Sequence, residues 1–160
     1  MASETSNSRT ESEEERADRN LQDLLQELRV ALPGVQVLFA FLLTVPFTNR
    51  FTDLSDFQEK LYFAVLISVA LATVFLVAPT AGHRILFRRQ QKEFIVLLSN
   101  ILALMGLLLL AVSMCGVIAL ISDFLFGQTT AVLATAGMAA AFLGFWFLGP
   151  LARRQSLPPR

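Results

Sequence analysis

Four apolar stretches without a charged residue constrain this chain more than any other feature of its sequence. They are residues 30–47, 61–81, 94–122 and 129–152. About 20 apolar residues in a helix cross the hydrocarbon core of a bilayer, and none of these stretches alternates apolar and polar residues as a membrane barrel strand does. The sequence therefore predicts an all-α membrane protein with transmembrane helices at about 30–48, 61–81, 94–122 and 129–149. The first stretch is the shortest, and we expect its helix to continue backwards through a kink at Pro33.

The polar residues divide the rest of the chain into clear segments. Of 160 residues 54% are hydrophobic and 16% charged, and the first 29 residues hold 8 of the 13 acidic side chains. Residues 1–12 are polar and acidic and are expected to be disordered. Residues 13–32 are predicted to form an amphipathic helix, residues 33–152 a four-helix transmembrane domain, and residues 153–160 a basic tail.

The distribution of Lys and Arg predicts the orientation of the chain. Cytoplasmic loops carry an excess of basic residues. Four Arg precede the first span, four basic residues lie between the second and third spans, and three Arg follow the fourth. The other two loops have no such excess. We therefore predict a multi-pass protein of the plasma membrane with both termini in the cytoplasm.

The amphipathic helix and the basic loop lie on the same predicted side of the membrane. Leucines recur at helical spacing in the helix, at Leu21, Leu24, Leu25, Leu28 and Leu32, and acidic residues lie opposite. Residues 13–29 have a net charge of −3, which disfavours an anionic lipid surface. In the loop, Arg84, Arg88 and Lys92, with Arg89 beside them, form a basic stripe if the loop is helical. Two interpretations carry equal weight: the acidic helix packs on this stripe, or the stripe faces lipid phosphates.

No ionisable residue lies in the middle of a predicted span. The candidate polar path consists of Gln36, Thr44, Ser99, Asn100 and Asp123, with Asp123 at the end of the third span. Gln36 and Asn100 fall in the same half of the membrane and are predicted to be able to hydrogen-bond each other. A structural contact between helices is the preferred interpretation of these residues over a transport site.

Small residues indicate where helices contact each other, and aromatic residues indicate where the chain meets the membrane–water interface. Small-residue ladders occur on the second span at Ala64, Ser68 and Ala72, and on the fourth at Ala136, Ala140 and Gly144. Such ladders let membrane helices approach closely. Packing within one chain is the first expectation, and a homodimer is the second. Aromatic residues are expected to anchor the outer interface, namely Phe51, Phe57, Tyr62, Phe124 and Phe126.

The residue inventory argues against an enzyme. One Cys and one His exclude a disulfide framework and a multi-ligand metal site built from this chain alone. No nucleophile–base pair or phosphate-binding loop is evident, so neither a cofactor nor a metal is expected. His83 with Arg84 would suit an enzyme acting on a lipid headgroup, but an interfacial role is preferred. The few basic residues are next to the membrane and do not indicate nucleic-acid binding.

Two segments of the chain resemble a known family. The stretch Asn20–Phe51, NLQDLLQELRVALPGVQVLFAFLLTVPFTNRF, and the stretch Leu76–Arg88, LVAPTAGHRILFR, are similar to an uncharacterised family of small actinobacterial four-span membrane proteins. Some members of that family are labelled sodium:proton antiporter. The resemblance implies a bacterial integral membrane protein.

Two functions follow as expectations. The first is a non-catalytic structural or accessory membrane protein, whose partner is the lipid bilayer together with a membrane or cytoplasmic protein bound through residues 13–32. The alternative is a small cation/proton antiporter-like transporter acting as a homo-oligomer.

Overall fold

The computed structural model describes residues 13–86 and 92–149, which form four long helices. Helix α1 is Glu13–Thr44, α2 is Asp56–Leu86, α3 is Lys92–Phe126 and α4 is Gln128–Phe142. Two short 3₁₀ turns, Val45–Phe47 and Asn49–Asp53, connect α1 to α2, and a π-helical segment, Leu143–Leu148, continues α4. Residues 1–12 and 150–160, to which the predicted tails belong, lie outside the described residues.

All four helices, α4 together with its π-helical continuation, are long and apolar enough to cross a membrane, which confirms that part of the prediction. The apolar spans are Arg19–Phe47, Asp56–Gly82, Val96–Phe126 and Gln128–Trp146. The first begins 11 residues earlier than the span expected from hydropathy at 30–48. Helix α1 runs without interruption through Pro33, so residues 13–32 and most of the first span belong to one helix of 32 residues.

Helices α2 and α3 pack against each other along a seam with seven-residue periodicity. Buried residues of α2 follow one another at steps of three and four, at Tyr62, Val65, Val69, Ala72, Leu76 and Pro79. On α3 the same spacing connects Ser99, Ala103, Gly106, Leu110, Ser113, Val117 and Leu120, of which Leu110 and Val117 are partly buried. Alternating steps of three and four keep one stripe of a helix facing its neighbour, as in a coiled coil.

Two glycines of α3 set the distance between these helices. A Cβ atom added at Gly106 would lie 2.7 Å from Leu76 Cδ2 and 3.2 Å from the Leu76 backbone nitrogen. A Cβ atom at Gly116 would clash with the side chain of Val65. The small-residue ladder predicted on α2 does not lie on one packed face, because Ala72 is buried but Ala64 is exposed. The close approach therefore depends on glycines of α3.

Helix α1 completes a three-helix core. Its buried residues recur every seven positions, at Leu21, Leu28, Val35 and Leu42. The last three join buried residues of α2 and α3 in one apolar cluster that contains no residue of α4. The stripe continues from Leu28 to Val35 across Pro33, so both sides of the proline pack on the same surface.

Helix α4 lies at the edge of this core. Within the described ranges it packs on α3 and has no contact with α1 or α2. Gly127 alone connects it to α3, with φ of +86°, a backbone conformation that suits glycine. Ala131 is the only buried residue of α4. Its predicted small-residue ladder does not face α3, because Ala136 and Ala140 are exposed.

Candidate functional site

The start of α2 is fixed by a capping box, two reciprocal hydrogen bonds between Ser55 and Gln58. The Gln58 backbone N–H donates to Ser55 Oγ at 3.4 Å, and the Ser55 N–H donates to Gln58 Oε1 at 3.0 Å. A Ser followed three residues later by Gln is the typical sequence for this motif, which satisfies two N–H groups that lack partners in the helix. The capping box also fixes the orientation of the Gln58 side chain.

The other end of the Gln58 amide reaches across to α3. Its Nε2 donates to Asp123 Oδ2 at 2.8 Å, over 65 positions in sequence. Gln58 is only 9% exposed, and Asp123 is half-buried. A hydrogen bond to a charged acceptor is stronger than one between neutral groups. Gln58 thus holds the beginning of α2 to the end of α3, and the Asp123 carboxylate has a side-chain partner.

One turn further along α2, Tyr62 connects α2 to the last turn of α1. Its hydroxyl donates to the backbone carbonyl oxygen of Leu42 at 2.8 Å, and the residue is 3% exposed. In a helix this carbonyl would accept the N–H of the residue four positions on, which here is Pro46. Proline has no N–H, so Tyr62 supplies the missing donor. The prediction that Tyr62 is an interfacial anchor is therefore wrong, since its ring is buried in the core.

These contacts form one cluster at the end of the bundle where α1 ends, α2 begins and α3 ends. We call it the terminal cluster and define it as Ser55, Gln58, Tyr62, Asp123 and the Leu42 carbonyl. Its hydrogen bonds connect three helices. Each donor described here has an acceptor, so the arrangement is suited to holding helices together.

Hydroxyl groups elsewhere in the helices hydrogen-bond to carbonyl oxygens of their own helix. Ser68 donates to Ala64, Thr73 to Val69, and Ser113 to Leu109, at 2.7–2.9 Å. The predicted path residue Thr44 donates to the Phe41 carbonyl at 2.7 Å and is exposed. This is the usual way in which a helix satisfies a hydroxyl in an apolar surrounding. Thr135 of α4 differs, because its buried hydroxyl oxygen has no hydrogen-bond partner.

The structure does not bring the other predicted path residues together. Gln36 of α1 and Asn100 of α3 are both exposed, and no hydrogen bond joins them. Ser99 is 3% exposed and follows the spacing of the buried α3 residues. Only Asp123 of the predicted set enters the terminal cluster.

The basic stripe falls largely outside what the structure describes. Arg88 and Arg89 lie outside the described residues. Arg84 is at the end of α2 and Lys92 at the start of α3, and only their backbone is described. The contact between this stripe and the amphipathic segment therefore stays a prediction.

A metal site is not evident in the described parts of the chain. No group of three His, Cys, Asp or Glu side chains there could hold a metal ion. In the terminal cluster the Asp123 carboxylate is paired with the Gln58 amide, and the Tyr62 hydroxyl with the Leu42 carbonyl. What the geometry offers is a structural connection between helices.

Sequence reasoning missed Gln58 and the role of Tyr62. The Ser-x-x-Gln pattern of residues 55–58 directly before an apolar run was a usable signal for the capping box. Nothing in the local sequence indicates that the same Gln reaches Asp123. The pairing of Tyr62 with the Leu42 carbonyl is also a contact between distant residues, although Pro46 shows that this carbonyl needs another donor.

Comparison with known proteins gives the family but no activity. A family of unknown function, DUF6328, matches residues 10–150. The chain belongs to this family. The match covers all four helices and agrees with the resemblance to an uncharacterised family. No curated protein and no solved structure matches the chain.

Proposed function

We propose that this chain is a non-catalytic accessory protein of a membrane, which contributes a rigid three-helix core and offers α4 to a partner. The observation that carries the proposal is the arrangement of polar groups in the described spans. Four hydroxyls bond to carbonyls of their own helices and Asp123 is bonded to Gln58, whereas the Thr135 hydroxyl has no partner. Ion-coupled transport needs polar groups that are free to bind and release their cargo. Groups already engaged in structural hydrogen bonds suit a scaffold better.

The face of α4 directed away from α3 supports a role in binding another helix. Ala136, Gly137 and Ala140 are exposed there, and a Cβ atom at Gly137 or Gly144 would meet nothing within 4 Å. Small residues let membrane helices approach closely, which gives dispersion contacts that lipid cannot match. We propose α4 of a second copy as the occupant of this face.

The proposal places the protein in the plasma membrane with both termini in the cytoplasm, as the Lys and Arg distribution favours. On that orientation the terminal cluster lies at the outer surface. The amphipathic part of α1, residues 13–32, then extends from the cytoplasmic end of the core. Asp23 and Glu27 are exposed there while Leu21 and Leu28 are buried. The exposed polar face of this segment is the proposed contact with a cytoplasmic partner or with the basic stripe.

Disulfide crosslinking tests the α4 contact. The chain has one cysteine, so the background variant is Cys115→Ser and the reporter is Ala140→Cys. We expect oxidant to give a crosslinked dimer for Ala140→Cys in native membranes. Val74→Cys is the matched control, since Val74 is 62% exposed on α2. Equal crosslinking of the two variants would show random collision and remove the support for this face.

The alternative is a small cation/proton antiporter-like transporter that acts as a homo-oligomer, which is what the resemblance to actinobacterial proteins with that label suggests. The half-buried carboxylate of Asp123 is the observation that favours it. Proton flux in liposomes under a sodium or potassium gradient distinguishes the two functions. The accessory role predicts no flux above that of empty liposomes. Cation-driven flux that is lost in Asp123→Asn would establish the transporter.

A further inference from the structure

A cavity of about 230 Å³ lies beside the terminal cluster, under the turns that connect α1 to α2. Nine of its twelve lining residues are Leu, Val, Ile or Phe. Leu42 comes from α1, Leu54 from the connection, and Val117 and Ile121 from α3. With Tyr62 from α2, the cavity is therefore formed by four parts of the chain and not by one groove of a single helix.

Tyr62 contributes its aromatic ring, and not a free hydroxyl group, to the wall of this cavity. That residue lines the cavity, but its hydroxyl donates to the Leu42 carbonyl, so the cavity meets the aromatic ring. Phe51 packs edge-on against the ring, with 5.5 Å between centroids, and lines the same space. Enclosed apolar cavities of about 150 Å³ accept benzene-sized molecules, and this cavity is larger and partly open. By proportion, this cavity has room for roughly nine carbon atoms of an apolar molecule.

A cationic side chain lies at the rim of the cavity. Arg50 is among the lining residues, but its side chain is 81% exposed and is 3.6 Å from Asp53. Such an exposed ion pair contributes little and is easily exchanged. The guanidinium can therefore meet an anionic group held outside the cavity, where it forms two parallel hydrogen bonds with carboxylate or phosphate oxygens. The apolar interior and the cationic rim together match an amphiphile that has an apolar chain at one end and an anionic group at the other.

We propose that this cavity binds the acyl chain of an anionic lipid, with the charged head at Arg50. The inference goes beyond the accessory function, because it assigns a ligand class to a site that the helix contacts do not require. A chain that leaves the bilayer for the cavity gains no hydrophobic free energy, since lipid tails are as apolar as the cavity wall. Selectivity then comes from the fit of the chain and from the charge of the head. Phospholipid and free fatty acid share this chemistry.

The single tyrosine of the chain makes the test direct. Protein labelled with 3-fluorotyrosine has one ¹⁹F resonance, from Tyr62 in the cavity wall. The full chain in a steroid-type detergent without alkyl chains is titrated with decanoate, decanol and butyrate. We expect a saturable shift with decanoate and, more weakly, with decanol, and none with butyrate. Arg50→Gln should weaken decanoate binding several-fold and leave decanol unchanged. No saturable shift with decanoate would overturn the proposal.

Filling the cavity provides the control. Val117→Phe adds an aromatic ring inside the cavity, whereas Val112→Phe adds the same ring on the same helix at a position that is 53% exposed and does not line it. Decanoate affinity should fall at least tenfold in Val117→Phe and stay unchanged in Val112→Phe. If Val117→Phe does not fold, Ile121→Trp at the edge of the cavity replaces it, because Ile121 is 50% exposed and tolerates a larger side chain. Binding that persists in both filled variants would refute the assignment.

Native mass spectrometry of wild-type protein released from membranes identifies the source of the chain. Retained phospholipid in wild type and Val112→Phe, but not in Val117→Phe, supports a bilayer lipid, and a retained fatty acid with the same pattern supports a free amphiphile. Lipid retained equally by all three proteins would show annular binding and contradict a specific site. This outcome does not depend on flux or on α4 crosslinking.

Discussion

Replacing Tyr62 by Phe tests whether its hydroxyl compensates for Pro46. The substitution removes the donor of a buried 2.8 Å hydrogen bond to the Leu42 carbonyl and leaves the ring in place. Hydrogen bonds between membrane helices contribute about 0.6 kcal/mol on average and up to about 1.7 kcal/mol. Because Pro46 cannot donate to this carbonyl, we expect the upper end, a loss of about 1–1.7 kcal/mol in the free energy of unfolding.

The reason for the loss is tested by a double-mutant cycle with Pro46→Ala. Alanine at position 46 restores an N–H four residues after Leu42, so the carbonyl regains a helical donor. Tyr62→Phe should then cost about 1 kcal/mol less in the Pro46→Ala background than in wild type.

The assay is equilibrium unfolding of the full chain in mixed micelles with increasing denaturing detergent, followed by far-ultraviolet circular dichroism. Ser68→Ala is the control, because it removes a hydroxyl that bonds within its own helix, and we expect less than about 0.5 kcal/mol. An equal cost of Tyr62→Phe in both backgrounds would refute the compensation of Pro46. No cost in wild type would show that the hydrogen bond contributes nothing.

Four further substitutions are tested by the same unfolding assay. Gly106→Ala should destabilise by about 1–3 kcal/mol because its Cβ meets Leu76 in the α2–α3 seam. At Gly137 an added Cβ has open space, so Gly137→Ala should stabilise the monomer by up to about 1 kcal/mol. A larger loss of stability in Gly137→Ala than in Gly106→Ala would contradict the described packing. Thr135→Val removes a buried hydroxyl without a partner and should stabilise the protein by about 1 kcal/mol. The control Thr73→Val, which removes a hydrogen-bonded hydroxyl, should not stabilise it. Equal effects of the two substitutions would show that the Thr135 hydroxyl has a hydrogen-bond partner. Gln58→Ala should cost about 1–2 kcal/mol through the capping box and the bond to Asp123, and a neutral result would exclude both.

Of the residues in the terminal cluster, the sequence indicated only Asp123 as a functional candidate. Asp123 was a candidate because it is an acid at the end of an apolar run, and the structure places it in the cluster. Gln36 and Asn100 were candidates because polar residues in a span need partners, yet both are exposed. Hydropathy gives the depth of a side chain but not the direction in which it faces its neighbours.

The difference between average hydropathy and the direction of side chains also explains why the first span was predicted too short. The seven-residue spacing of Leu21, Leu28, Val35 and Leu42 is visible in the sequence, but the predicted span began only at residue 30 because hydropathy falls before it. The structure continues one helix and one buried stripe through Pro33. Charged residues on the opposite face lower the average hydropathy without interrupting the stripe.

The sequence by itself determined the number of helices and their apolar character. An uncharged run of about 20 residues satisfies its backbone hydrogen bonds within one helix, so the prediction needs no knowledge of the neighbours. Only the tertiary structure decided that Gly106 and Gly116 bring α2 against α3, and that α4 leaves Ala136 and Ala140 exposed. The same holds for the hydrogen bond from Tyr62 to the Leu42 carbonyl, which Pro46 leaves without a helical donor. Each of these contacts joins residues far apart in the chain, and their geometry depends on how the helices rotate and cross.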